Sequence, residues 1–398
     1  MPQPAAPPPP EAPRALEFFA GIGLARLGLE AAGFRVVWSN DREPGKRALY
    51  EGHFGQSVGH RFVLGDLRRV RGQDLPTGSA LAWASSPCTD LSLAGGRAGL
   101  GGAESGAFWE YVRVLDELGD GRPPVAVLEN VVGLATSHGG QDLAAAIRAF
   151  NRLGYSADVL VIDARRFLPQ SRPRLFLVGA QAPPPASPPG GPPEWCGLRP
   201  EWLGRVFCDP GLRTHRARLP APPPPLTSGL GRRLEDLPSS DDRWWDDDRA
   251  DAFVASLSPV QQRRVERLRL APVVSYRTAY RRTRQGTAVW EVRPDDIAGC
   301  LRTARGGSSR QAVARLGQGR LKVRWLTPRE CATLMGASNY RLDGARLNQS
   351  LFGFGDAVAV PVVEWLARHY LRPMAGGETN DPDIHELAQI PDQVRDDA

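Results

Sequence analysis

Short apolar runs that stop at a glycine or an acid recur through the first 180 residues, with helix-period segments between them. Ala15-Leu16-Glu17-Phe18-Phe19-Ala20 reads as a first strand, followed by the turn Gly21-Ile22-Gly23. Leu24, Leu27, Gly28 and Ala31 then share one face of a helix over Leu24 to Ala32, stopped by Gly33. A second strand, Phe34 to Ser39, ends at Asn40-Asp41, and a third unit closes at Leu64-Gly65-Asp66-Leu67. The run Ala80 to Ala84 is a fourth strand, broken by Ser86-Pro87-Cys88-Thr89, and Val125 to Leu128 is a fifth, ending at Glu129-Asn130-Val131. Helices are expected over Phe108 to Leu118 and Leu143 to Leu153, and further strands over Asp158 to Asp163 and Leu175 to Val178. Uniformly apolar strands alternating with helices predict an α/β fold with a doubly wound, mostly parallel sheet.

The pattern breaks after Ala180. Pro183 to Pro193 and Pro222 to Pro225 are proline-rich, Glu235 to Asp251 is acidic around Trp244-Trp245, and Ser258 to Leu270 is helical and basic. Order returns at Leu326-Thr327-Pro328-Arg329-Glu330-Cys331, where Thr327 caps a helix with Pro328 at its first position. A last helix is expected over Val360 to Leu371, after Gly353-Phe354-Gly355-Asp356. The expected organisation is a Pro-rich tail at 1–13, a main domain at 14–180, and an inserted smaller domain at 181–321. Residues 322–373 then return to the main domain, and a polar tail occupies 374–398.

Charge sharpens this division. The chain carries a net charge of +6, and nearly all its cations are arginine, with lysine only at Lys46 and Lys322. From Gln261 to Arg324 there are 16 Lys/Arg against 4 Asp/Glu, the electrostatic footprint of a polyanion partner or else a solvated basic face. Five cysteines, odd in number and widely spaced, argue against a disulfide framework, and Cys196, Cys208 and His215 lack zinc-ligand spacing, so no metal is expected. Neither a secretory leader nor an apolar run of membrane-spanning length is read, so a cytoplasmic, nucleoid-associated protein is expected.

Chemistry concentrates at the predicted strand ends, where ligands bind in open α/β sheets. The glycine turn followed by an acid after the second strand suits a nucleoside-containing cofactor held through its ribose hydroxyls. Cys88 leaves the fourth strand next to backbone N–H groups that favour a thiolate, and the glycines from Gly95 to Gly102 read as a lid or as an ordinary loop.

The ordered series FAGIG, Asn-Asp, Gly-Asp-Leu, Pro-Cys, Glu-Asn-Val, Gln-x-Arg-x-Arg, Arg-Glu-Cys and Gly-Asp-Ala-Val resembles the DNA cytosine-5 methyltransferases of bacterial type. The match covers roughly Ala15 to Ala180 and Val323 to Arg372, and the inserted segment falls where that family carries its target-recognition domain. The resemblance implies S-adenosylmethionine as methyl donor, double-stranded DNA as substrate and a monomer, and leaves open a cognate restriction endonuclease as counterpart or an orphan enzyme. It implies a cofactor site formed by Phe19, Gly21, Ile22, Gly23, Asp41, Arg42, Asp66, Leu67, Pro87 and Asp356. The catalytic residues it implies are Cys88 as nucleophile, Glu129 on the ring of a flipped-out base, and Arg172 and Arg174 holding base and carboxylate. Thr89, Arg42 and Asp356 depart from the family's usual Gln, aromatic or apolar residue, and Asn. Two other readings are the transfer RNA branch of the superfamily, whose Cys-Phe-Thr motif is absent here, and a catalytically silent DNA-binding scaffold.

Overall fold

The computed structural model describes residues 11–56, 58–87, 99–102, 106–184, 197–284, 287–303 and 310–376. Its elements in chain order begin with β1 (Arg14–Phe18), α1 (Leu24–Ala31), β2 (Arg35–Asp41), α2 (Pro44–Phe54), β3 (Arg61–Leu64), β4 (Leu81–Ser85), α3 (Ala107–Glu117) and β5 (Val125–Asn130). Next come α4 (Gly133–Thr136), α5 (Gln141–Arg152), β6 (Ser156–Asp163), β7 (Pro173–Ala180), α6 (Gly204–Cys208), α7 (Asp247–Ala255) and α8 (Pro259–Leu270). The chain closes with β8 (Ser275–Arg284), β9 (Thr287–Val292), β10 (Ala312–Gly317), β11 (Arg320–Trp325), α9 (Pro328–Leu334), α10 (Leu347–Asp356) and α11 (Val360–Leu366).

Seven strands form one sheet in the order β3-β2-β1-β4-β5-β7-β6. The first five are parallel, and β7 runs antiparallel to both β5 and β6. Strand alternation splits the side chains between two buried layers. Leu81, Trp83, Val125, Val127, Phe176 and Val178 enter a layer with α1, α9 and α11, while Ala82, Ala84, Ala126, Leu128, Leu175 and Leu177 enter one with α3 and α5. Both faces are therefore covered, which is why these strands read as unbroken apolar runs.

The second sheet is antiparallel, in the order β11-β10-β8-β9. One of its faces packs Ala279, Val292, Ala312, Ala314, Leu316 and Val323 against Phe253 and Val265 of α7 and α8. Trp245 joins this core, with Trp325 and Trp290 centroids 5.2 and 5.7 Å away, which accounts for one half of the Trp pair. The other half, Trp244, stacks under the Arg324 guanidinium at 5.1 Å.

The chain past the expected boundary at 181 also touches the large sheet. Residues 197–217 lie against the large sheet: Val161 N donates to Leu198 O, Ala157 N donates to Arg213 O, and the Arg199–Asp158 pair is buried. The boundary near 321 cuts through β11. Two further elements escaped the sequence pattern: α2, whose periodicity is weak, and α10, which holds the glycines expected to precede the last helix. Leu347–Met374 is also a helical stretch long and apolar enough to cross a membrane, but 61% of its apolar 18-residue window is buried, with Val363 of α11 packed against Gly28 of α1. Its apolarity serves the core.

Beneath the first turn lies a buried polar cluster. Glu17, fully buried on β1, accepts hydrogen bonds from Arg26 N (3.0 Å), Ser39 Oγ (2.9 Å) and Tyr50 OH (3.3 Å). His60 Nε2 lies 3.0 Å from Ser39 Oγ and 3.2 Å from Tyr50 OH. Burial pushes the Glu17 carboxyl up from 4.5 to about 7, against the opposing effects of Ser39 and Arg26. The unfolded chain therefore releases this proton first, and the contribution of Glu17 to stability, complete below pH 4.5, is lost as pH rises to about 7. Glu17→Gln should gain on the wild type by about 3 kcal/mol across that interval. Urea unfolding at both ends of it measures the difference, and a pH-independent difference would remove the burial argument.

Candidate active site

All five parallel strands end on one edge, and the sequence-predicted residues gather there. At the end of β5, Glu129 is only 5% exposed, and its Oε1 lies 3.1 Å from Arg174 Nε. Strand parity explains the pairing. Val125, Val127 and Glu129 point to one face of β5, and Val178, Phe176 and Arg174 to the same face of the antiparallel β7. Parallel register sets Ser85 of β4 beside Glu129. The next residue of β5, Asn130, donates Nδ2 to Ser86 Oγ at 2.9 Å and so ties down the chain where it leaves β4. Pro87 follows, while Cys88, Thr89 and most of the glycine-rich stretch lie outside the described residues. Asn130 was legible only as part of a motif, and its bond to Ser86 supplies its physical role.

Arg172 is engaged by backbone carbonyls of later segments. Its buried guanidinium donates Nη1 to Leu301 O (2.7 Å) and Nη2 to Gly355 O (2.9 Å) and Ala357 O, with Cys300 Sγ 3.2 Å from Nη1. It braces the returning C-terminal segments and is not placed on the carboxylate. Gln170 works beside it, donating Nε2 to Leu334 O (2.7 Å) and accepting from Leu301 N (3.2 Å). Cys300, singled out in the sequence only as one cysteine of five, lies between the two arginines. Burial pushes its thiol up, but Arg172, Arg174 and Arg302 together more than offset this and hold it below the ordinary thiol value.

The turn after β1 forms the second half of the site. Phe19, Gly21 and Gly23 take left-handed φ values of 55°, 58° and 81°, rare for a phenylalanine. At Gly23 an added Cβ would lie 2.4 Å from the Phe54 ring, so only glycine fits. Gly21 instead faces open space, with nothing within 4 Å of where a Cβ would stand. Its N–H donates to Asp41 Oδ2 at 2.8 Å, and Glu43 N donates to Asp41 Oδ1 at 2.9 Å. Each carboxylate oxygen has a second lone pair beyond the bond it accepts here. Ile22 is buried against Gly353 of α10, and Ile22 O accepts from Tyr340 OH at 2.8 Å, so the C-terminal segment shapes the turn from behind.

The remaining candidates divide. Asp66 is half-buried and accepts from Arg68 N at 2.9 Å, capping a short turn. Leu67 is buried among core side chains. Arg42 is exposed, 3.9 Å from Glu43. Asp356 is neutralised by Lys46 at 2.8 Å. Burial would push Lys46 down, but Asp356, Asp41 and Glu43 outweigh it and raise its pKa. The charge that this departure introduces is thus matched by one of the chain's two lysines. Among the described residues no cluster of His, Cys, Asp and Glu is arranged to hold a metal ion.

A seven-stranded, mostly parallel sheet with this order carries a glycine turn braced by a strand-end acid and a carboxylate–arginine pair beside the Pro87 exit, the fold class of the methyltransferases. The family model described as C-5 cytosine-specific DNA methylase matches residues 14–372, and the chain belongs to that family. It is 32% identical over 165 residues to the Type II methyltransferase M.Bsp6I of Bacillus sp. (strain RFL6), covering 40% of this chain and 50% of that protein. To the Type II methyltransferase M.HhaI of Haemophilus parahaemolyticus it is 30% identical over 166 residues, 42% of this chain and 48% of the relative. The match thus spans about half the length of these relatives. The fold is similar to that of the S. pombe Dnmt2 methyltransferase, with a TM-score of 0.56, 17% identity, and coverage of 91% of this chain and 99% of that one.

The brace is testable. Arg172→Ala leaves buried carbonyls of Leu301, Gly355 and Ala357 without their donor, and should cost at least about 3 kcal/mol in chemical denaturation. A loss below about 0.5 kcal/mol, the range of ordinary surface substitutions, would show that Arg172 does not brace the fold.

Proposed function

We propose that the protein transfers a methyl group to carbon 5 of cytosine in duplex DNA. The observation that carries this reading is the buried Glu129–Arg174 pair set beside the strand that delivers Ser86, Pro87 and Cys88, in a chain of the cytosine-specific family.

The open space at Gly21 and the second lone pairs of Asp41 fit a nucleoside, and we assign them to S-adenosylmethionine. Asp41 would hold its ribose hydroxyls, Asp66 its adenine amine, and Phe19, Ile22 and Gly23 its remaining faces, with Asp356 and Lys46 at the methionine end. When bound, this cofactor supplies an electrophilic methyl group. The protein's part is to make a poor carbon nucleophile reactive. The Cys88 thiolate adds to carbon 6, opening the 5,6 double bond and placing electron density on carbon 5. A proton delivered by Glu129 to ring nitrogen 3 keeps negative charge from building up there. Arg174 fixes the carboxylate's orientation. After methylation, loss of the carbon 5 proton reforms the double bond and expels the thiolate. Reaching carbon 6 requires the base to leave the stack.

Target recognition falls to the unit built on the second sheet within 181–321, extended to Trp325. On this reading the enzyme acts as a monomer inside the cell, either beside a cognate restriction endonuclease or as an orphan enzyme, since both Type II and orphan methyltransferases are among its relatives.

A duplex with 5-fluorocytosine at the target tests the chemistry, because fluorine cannot be lost as a proton. The expected product is a denaturant-resistant protein–DNA adduct through Cys88, formed only with S-adenosylmethionine and abolished in Cys88→Ser. Cytosine mapping on DNA and transfer RNA sets the substrate. Methylation confined to RNA, or an adduct that persists in Cys88→Ser, would overturn the proposal.

A further inference from the structure

Just beyond Asp66 the chain turns twice, over Leu67–Arg69 and Gly72–Asp74, and packs against α3. Leu67, Val70 and Leu75 are buried and anchor these turns, which leaves Arg68, Arg69 and Arg71 standing in solvent. Arg113 of α3 grips the turn from behind, donating Nη2 to Leu67 O (3.1 Å) and Val70 O (3.0 Å). Its Nε and Nη1 are held by Glu110 (2.7 Å) and Glu117 (2.5 Å), and Glu117 also accepts Gly72 N–H at 2.8 Å. The cap from Asp66 completes a fixed backbone.

Four arginines (Arg68, Arg69, Arg71 and Arg113) line one cavity of about 720 Å³ together with Gln73 and Glu117. Glu117 is its single lining carboxylate, and both of its oxygens are already engaged. The Arg68 guanidinium comes no closer than 3.9 Å to the Asp66 carboxylate, and among the described residues neither Arg69 nor Arg71 forms an ion pair with a carboxylate. Guanidinia gathered this densely repel one another until an anion enters, and their planar forks match phosphate oxygens. None of these groups belongs to the chemistry assigned above.

We propose that this turn is a second phosphate-binding site, which holds the backbone of the substrate duplex some base pairs away from the target cytosine. The inference rests on the DNA reading of the preceding section. Sheet order sets the scale: β3 lies three strands from β4. At roughly 4.8 Å per strand that is about 14 Å along the edge. A duplex advances about 3.4 Å per base pair, so a backbone centred on the site arrives at this turn after roughly four pairs. The basic segment from Gln261 to Arg324 supplies cations elsewhere in the chain, and a long polyanion can engage both.

Arg69→Ala/Arg71→Ala, in the full chain, tests the site against a hairpin-closed duplex of about 6 base pairs, too short to reach the turn from the target, and a mixed-sequence duplex of about 30, across a salt series. Both residues are exposed, so the melting curve and calorimetric S-adenosylmethionine binding should match wild type. On the long duplex the double variant should lose roughly tenfold in affinity and about two units of salt slope; the short duplex should bind as before. Arg69→Lys/Arg71→Lys should keep most of the long-duplex affinity, since it keeps the charge. Equal long-duplex binding by variant and wild type would overturn the proposal. So would a loss of the same size at both lengths, or a loss seen only with RNA duplexes. Failure of wild type to methylate any duplex is a separate result that strikes the DNA reading itself.

Discussion

A carboxylate as deeply buried as Glu129 needs a cation, and the direction of β7 supplies it. Because β7 runs against β5, its first residues emerge on the same edge where β5 ends. A parallel β7 would have carried Arg174 to the far edge, about 20 Å away at roughly 3.3 Å per residue. Removing one partner of a buried pair typically costs about 3–5 kcal/mol, so strand direction, face parity and site chemistry are bound together. The single reversal in an otherwise parallel set is thus what gives the edge its second half.

The turn after β1 depends on a different kind of support. Three left-handed residues in five do not hold themselves. Asp41 restrains the turn in front, Tyr340 and Gly353 press on it from the C-terminal segment, and the Glu17 cluster lies below. One of those three supports arrives from beyond residue 330. The two halves of the site therefore share an outer wall, since α10 meets Arg172 as well as Ile22.

The large sheet was legible because its strands are uniformly apolar and end at Asp41, Asp66, Pro87 or Glu129, where the period changes abruptly. The capping of α9 by Thr327 and Glu330 was likewise written locally, as a capping box with proline at the first position. What the chain hides is whatever depends on partners distant in sequence. Arg172 and Arg174 are two residues apart in one motif, yet one braces carbonyls and the other meets Glu129, a split set by tertiary placement. Residues 197–217 carry no strand pattern and still lie along the large sheet, because their contacts are scattered side chains and single backbone bonds. Lys46 reads as an ordinary helix cation until Asp356, more than 300 residues on, comes to lie beside it.

The knot at Gln170 and Arg172 also sets an order of events in synthesis. Its acceptors at Leu301, Leu334, Gly355 and Ala357 leave the ribosome 129 to 185 residues after their donors. At about 5–20 residues per second, Arg172 waits roughly ten to forty seconds for Ala357. During that interval the first 180 residues hold most of a sheet, while the brace behind the candidate catalytic edge has nothing to grip. A nascent chain of this design carries Cys88 long before it carries the wall behind the candidate site, so the finished edge arrives late and all at once.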